Sequence, residues 1–133
     1  MRRLYAALNS GDADALVALC DPGIEVQSVF AAVGGATYRG HDGVRKWQKD
    51  LEEAWGGDFR VEAEAYFDLG DRSVIFGVLR GRGGLSGAKV AMPATGVAKW
   101  RDGRCVWHKA YVHREDALRD LGVSEEELEL IAP

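Results

Sequence analysis

The sequence predicts an α+β fold in which a curved, mostly antiparallel sheet forms a cone closed by three N-terminal helices. Two observations lead there. Across residues 3–55 apolar side chains recur every three or four positions in three separate stretches, whereas residues 59–112 form long β-rich runs divided by glycine-containing turns. Helices first and strands afterwards is the order of a domain whose helices cover one sheet face. A chain of 133 residues has the length of one domain, taken here as 1–133, and can bury about two-thirds of the surface its unfolded form exposes.

In residues 3–9, Leu4, Tyr5 and Leu8 share one helical side, and Asn9-Ser10-Gly11 ends the run. Asp12 is an N-cap candidate for a second helix through Cys20, with Ala13, Leu16, Val17 and Cys20 as its apolar stripe, and Pro22-Gly23 stops it. Residues 24–30 alternate as a strand, placing Glu25 and Gln27 on one face. Gly34-Gly35 loosens the chain before an extended piece at residues 37–39. A third helix over residues 43–55 carries Val44, Trp47, Leu51 and Trp55 on one face, and Gly56-Gly57 ends it.

Two β segments, residues 59–69 and 73–82, are joined at Gly70-Asp71. A glycine-rich loop at residues 81–87 leads to a third, residues 89–100. Asp102-Gly103 marks a tight hairpin, because this dipeptide tolerates the positive φ values such a turn needs. Beyond it, alternation puts Cys105, Trp107, Lys109 and Tyr111 on one face and Val106, His108, Ala110 and Val112 on the other. A helix over residues 114–121 with Gly122 as its C-terminal stop follows, and then a capping box at Ser124-Glu125-Glu126-Glu127 opens a last short helix.

A formal net charge of −4, with the arginines scattered among acids, argues against nucleic acid as a partner, since phosphate binding needs a concentrated basic surface. Cys20 and Cys105 both lie in apolar runs and are expected as buried free thiols in a cytoplasmic protein. The apolar stretch behind Arg2 and Arg3 is too interrupted for a signal peptide or a membrane span. His41 and His113 lack metal-ligand spacing, and neither Gly34-Gly35 nor Gly83-Gly84 precedes the lysine and serine or threonine of a phosphate cradle, so no metal and no cofactor is expected.

Four stretches together resemble the SnoaL-like family of the nuclear transport factor 2-like superfamily. They are L-Y-A-A-L-N-S-G-D-A-D-A-L-V-A-L over residues 4–19, Y-R-G-H-D-G-V-R-K-W over 38–47, W-R-D-G-R over 100–104 and Y-V-H-R-E-D-A-L-R-D-L-G over 111–122. The resemblance implies the cone fold shared with ketosteroid isomerases, polyketide cyclases, scytalone dehydratase and limonene epoxide hydrolase. It says little about chemistry, because this scaffold hosts unrelated reactions.

Set beside the ketosteroid isomerases, the chain has Leu4 where their oxyanion-hole tyrosine stands, with Tyr5 one place on. It has Gln27 at their general-base aspartate, and Gly96 or Thr95 at their second oxyanion donor. Their mechanism is therefore not expected. The Asp-Arg-Asp set of the epoxide hydrolase has possible counterparts in Asp68, Arg80 and Asp102, which fall near strand ends and turns.

The candidate catalytic residues are His108, a general acid or base on the face that the resemblance turns into the cone, and Glu25, a carboxylate to assist it. Gln27, Tyr5, Trp47, Trp55 and Trp100 are the candidate ligand-binding residues, as pocket walls with polar handles. The alternative for each is ordinary: a hydrogen-bonded core histidine, a solvated strand face, aromatic packing. The resulting expectation is a pocket for a small apolar carbonyl-type molecule, used for cofactor-independent acid–base chemistry of isomerase, cyclase or dehydratase type, or for binding alone. Trp107 and Tyr111 would stand on the outer sheet face, where the resemblance implies a homodimer.

Overall fold

Apolar spacing places the helices. The computed structural model describes residues 1–31, 35–83 and 87–131. Helix α1 (Arg2–Ser10) buries Leu4, Tyr5, Ala7 and Leu8. Helix α2 (Ala13–Ala18) starts under Asp12, whose carboxylate accepts the Ala15 N–H at 3.0 Å and satisfies one of the donors a helix start leaves unpaired. Helix α3 (Gly40–Trp55) buries Val44, Trp47, Gln48 and Leu51. Gln48 Nε2 donates to the Leu8 carbonyl at 3.3 Å, tying α3 to α1.

Six strands follow the sequence order β1 (Cys20–Ser28), β2 (Ala36–Arg39), β3 (Arg60–Asp68), β4 (Arg72–Gly83), β5 (Ala88–Arg101) and β6 (Arg104–Tyr111). They form one curved, unclosed mixed sheet in the order β2-β1-β6-β5-β4-β3. Every neighbouring pair is antiparallel except β1 and β6. Asp102 (φ 53°) and Gly103 (φ 77°) make the expected left-handed turn between β5 and β6. At the β3 edge the Asn9 side chain stands in for a missing strand. Its amide donates to the Val61 carbonyl at 2.9 Å and accepts the Val61 N–H at 2.8 Å.

The α+β class and the three closing helices are as the sequence predicts, but helices cover more than one sheet face. The inner face, with Ile24, Val26, Ile75, Leu79 and Ala98, packs under α1, α2 and α3. On the outer face Phe67, Val74, Phe76, Val97 and Tyr111 pack with Ala117 and Leu118 of α4 (Arg114–Leu121) and Leu128 of α5 (Glu125–Ile131). Tyr111 is therefore buried, and its hydroxyl donates to Asp120 at 2.7 Å. Trp107 is partly buried, with the Lys99 ammonium 4.7 Å from its ring centre. The two aromatics do not form the uncovered patch that alternation suggested, because the chain's own last helices lie over that face.

Two further expectations are corrected. A register shift between Lys99 and Trp100 pairs Trp100 with Cys105, leaving Val106 as an extra residue, so Cys105 turns to the inner core instead of sharing the face of Trp107. Strand β1 begins at Cys20, with Pro22-Gly23 inside an irregular stretch of it and not ahead of it. The middle of the glycine-rich loop, residues 84–86, and Gly34 lie outside the described residues. None of the described helices is long and apolar enough to cross a membrane.

Candidate functional site

Strand pairing decides which side chains can meet. Residues directly opposite on neighbouring strands share a sheet face. His108 is opposite Val26 on β1 and Ala98 on β5, both of them inner-face residues with no exposed surface. The imidazole is itself only 1% exposed. The fold thus drives a titratable ring into the apolar space between the sheet and α1 and α3.

Three rings meet there. The Tyr5 hydroxyl lies 2.8 Å from His108 Nε2, a buried hydrogen bond between α1 and β6. Trp47, from α3, sets its ring 5.1 Å from that of His108 at 45°. Tyr5 reaches Nε2 because Gly96 lies opposite Ala110 and Ile75 on the inner face and has no side chain. A Cβ built on Gly96 would overlap the Tyr5 hydroxyl and come within 2.9 Å of Ile75 Cγ2.

Around these groups is a cavity lined by aliphatic and aromatic side chains, Leu8, Leu51, Ile75, Phe30 and Phe59 among them, with Ser28, Tyr5, Trp47 and His108 as polar members. No charged residue lines it among the described residues. With the side chains as they stand, the cavity volume is about 20 Å³, room for about one water and far below the roughly 300–1,000 Å³ of small-molecule sites.

Burial governs the electrostatics. With no counter-charge to offset desolvation, the imidazole is held neutral and its pKa is lowered from 6.5 to about 4. Desolvation likewise pushes the Tyr5 hydroxyl well above its ordinary value, with smaller contributions from Cys105 and Tyr66. The pair is therefore uncharged near neutral pH. Two of the residues lining the cavity carry a buried ring nitrogen without a hydrogen-bond partner among the described residues: His108 Nδ1 and Trp47 Nε1.

The structure brings together three of the seven sequence candidates, Tyr5, Trp47 and His108, and separates the rest. Glu25 lies opposite Trp107, and so on the other sheet face from His108. There it pairs with Arg39 at 3.2 Å and accepts the Gln27 side-chain amide at 3.0 Å. Ile24, Val26 and Ser28 are the buried set on β1, so the expected Glu25–His108 contact is absent and Gln27 faces away from the cavity. Trp55 Nε1 donates to the Phe30 carbonyl at 2.9 Å, and the partly buried Trp100 packs against the inner core; neither ring lines the cavity.

Asp68, Arg80 and Asp102 do not converge either. Asp68 accepts the Gly70 N–H, Arg80 pairs with Glu62 at 2.8 Å, and Asp102 sits in the exposed hairpin turn. His41 Nε2 lies 2.9 Å from the Cys20 carbonyl oxygen. Among the described residues no three His, Cys, Asp or Glu side chains cluster as metal ligands. Sequence reasoning passed over Phe30 and Phe59 as cavity walls and Gly96 as the space for Tyr5. Phe30 could have been found, since it continues the alternation of Ile24, Val26 and Ser28.

The sequence profile of the SnoaL-like domain matches residues 1–108. Among solved structures, the chain is similar to a Catenulispora acidiphila protein of ketosteroid isomerase-like fold in complex with trimethylamine, at 18% identity over 94% of this chain and 93% of that one, with a TM-score of 0.74. TerC co-crystallised with polyporic acid has 21% identity over 90% and 92% of the two chains and a TM-score of 0.73. A putative SnoaL-like polyketide cyclase from Shewanella denitrificans has 18% identity over 91% and 93%, with a TM-score of 0.68. At these identities the likeness is one of fold. No curated protein matches the sequence significantly.

Proposed function

Because the chain belongs to the SnoaL-like domain family, whose scaffold is common to many chemistries, we propose that it binds a small, uncharged, carbonyl-type compound in the inner cavity and acts on it by cofactor-independent proton transfer centred on His108. The observation that carries this reading is the buried Tyr5–His108 hydrogen bond in a cavity without charged residues. A neutral imidazole both gives and takes protons, and an apolar surround selects against charged ligands. A ligand larger than one water enters only as the side chains lining the cavity move apart. Glu25 has no part in this chemistry, since it lies across the sheet.

A second reading, binding without a chemical step, is favoured by one observation: among the described residues no carboxylate lines the cavity to share proton transfer with His108. A homodimer through the outer face is not part of the proposal, because α4 and α5 cover Tyr111. The buried free thiols of Cys20 and Cys105 suit a reducing cytoplasm.

A panel of small ketones and enones, screened for binding by tryptophan fluorescence and for turnover by NMR, separates the two readings. Turnover that is lost in His108→Ala supports the enzyme. Saturable binding without turnover supports the binding protein, and no binding at all overturns both.

A further inference from the structure

We propose that the outer face of strands β3, β4 and β5 carries a second site, separate from the inner cavity, that binds the dianionic phosphate group of a small molecule through Arg60, Arg80, Arg82 and Lys89.

Strand register builds this cluster from residues that are apart in the sequence. Arg80 is directly opposite Arg60 on β3, and Arg82 is directly opposite Lys89 on β5. Arg80 and Arg82 stand two apart on β4 and so share a face. Leu79 and Val61, their neighbours in the chain, belong to the inner core, which puts all four cations on the outer face. Helices α4 and α5 cover that face around Phe67, Val74, Phe76 and Val97, toward the other end of the same strands. The basic end is left open.

Like charges directly opposite one another destabilise a sheet. Here two such pairs occupy adjacent rows, and the chain's own carboxylates offset them only in part. Glu62 accepts Arg80 Nε at 2.8 Å and Arg60 Nε at 3.0 Å, while Asp58 accepts Arg82 Nε at 2.7 Å. Hydrogen bonds from Arg80 and then Arg60 hold the Glu62 carboxyl below its usual range, so it stays ionised at neutral pH. Lys89 has no ion-pair partner among the described residues. Four cations and two carboxylates leave an excess of two positive charges, in a chain whose formal net charge is −4.

These side chains line an open groove of about 390 Å³, within the roughly 300–1,000 Å³ of small-molecule sites. Ala91, opposite Arg80 on β5, adds no bulk to it. The charge excess matches a dianion. A guanidinium has five N–H donors, and each arginine meets its carboxylate through Nε, so terminal N–H groups are left to grip phosphate oxygens. Two rows of side chains span about 7 Å along the strands and three strands about 10 Å across them. That area suits one phosphate group and a small attached residue. It is far short of the extended basic surface that nucleic acid requires.

The test titrates the full chain with inorganic phosphate and with phenyl phosphate at pH 8 and fixed ionic strength, with benzoate as a monoanionic control, and follows the arginine Nε–H and Lys89 signals by NMR. The expected result is saturable shifts at Arg60, Arg80, Arg82 and Lys89 with a Kd of roughly a millimolar, because the donors are half-exposed. Added salt weakens the binding. Lys89→Gln is expected to lose about threefold to tenfold in affinity without a lower denaturation midpoint, since it removes one member of a like-charged pair. Glu62→Gln raises the charge excess and is expected to tighten binding by a similar factor.

Equal affinity for the two phosphates means that the group alone is recognised, and tighter binding of phenyl phosphate assigns the site to an ester; both support the inference. It is overturned if these signals do not saturate with either phosphate, if benzoate shifts them as strongly, or if Lys89→Gln binds as the wild type does. The Lys89 comparison stands even if Glu62→Gln fails to fold.

Discussion

The Tyr5 hydroxyl fills the space that a side chain on Gly96 would need. The hydrogen bond from α1 to β6 thus depends on a third element, β5, presenting bare backbone at one position. Gly96→Ala forces the phenol away from His108 or pushes Ile75 aside. Overpacking of this kind costs about 1–3 kcal/mol. The expected outcome is a folded, destabilised protein, seen as a lower denaturation midpoint, with altered His108 ring signals in the NMR spectrum. An unchanged His108 environment would mean that Tyr5 is not held by Gly96.

Glu25 gives the complementary case. Its carboxylate pairs with Arg39 across the β1–β2 edge, with side chains 31% and 76% exposed respectively. Ion pairs this exposed contribute about 0–1 kcal/mol. Glu25→Gln is expected to leave stability within that margin and to leave ligand affinity and any turnover at wild-type levels. A loss of turnover would place the carboxylate in the chemistry and contradict its position across the sheet.

The contrast between Glu25 and His108 also marks where the sequence stops being legible. Helices α1 and α3 are readable because each has a single apolar stripe, and the β5–β6 hairpin because Asp102-Gly103 permits one turn geometry. Alternation puts His108 on the face of Ala110 and Val112, and the family resemblance is what implies that this face looks inward. On β1 the same reasoning divides, because I-E-V-Q-S-V-F has a coherent alternation but only the strand's partners decide which half is covered. Cys105 was assigned to the wrong face because the bulge at Val106 adds one residue that no local signal announces. The outer-face cover was missed for a different reason: the apolar positions of α4 and α5 show that those helices pack, but not against which surface.

Tyr111 tests that cover. Its ring is 6% exposed within the cluster of Phe76, Val97, Leu118 and Leu128, and its hydroxyl donates to Asp120. Deleting residues 114–133 uncovers these side chains at once. A contiguous apolar face of that kind drives association. The shortened chain is expected to self-associate in sedimentation experiments under conditions where the full chain does not change state. Equal behaviour of the two would mean that the last two helices do not protect this face.

His108 sets a pH window for stability. The unfolded chain takes up a proton on this ring below about pH 6.5, whereas burial delays uptake in the folded chain to about pH 4. Between these values the unfolded state binds more protons, so stability must fall as the pH is lowered. Burial alone lowers the His108 value, and no charged residue lines the cavity among the described residues. Across the whole window the loss amounts to about 3 kcal/mol. In urea titrations at pH 7 and pH 4.5 the wild type is therefore expected to lose most of that amount. His108→Phe, which cannot titrate, is expected to show a smaller pH dependence despite a lower starting stability. If the variant and the wild type lose stability in parallel, the imidazole is reaching solvent in the folded state and is not held neutral by the cavity.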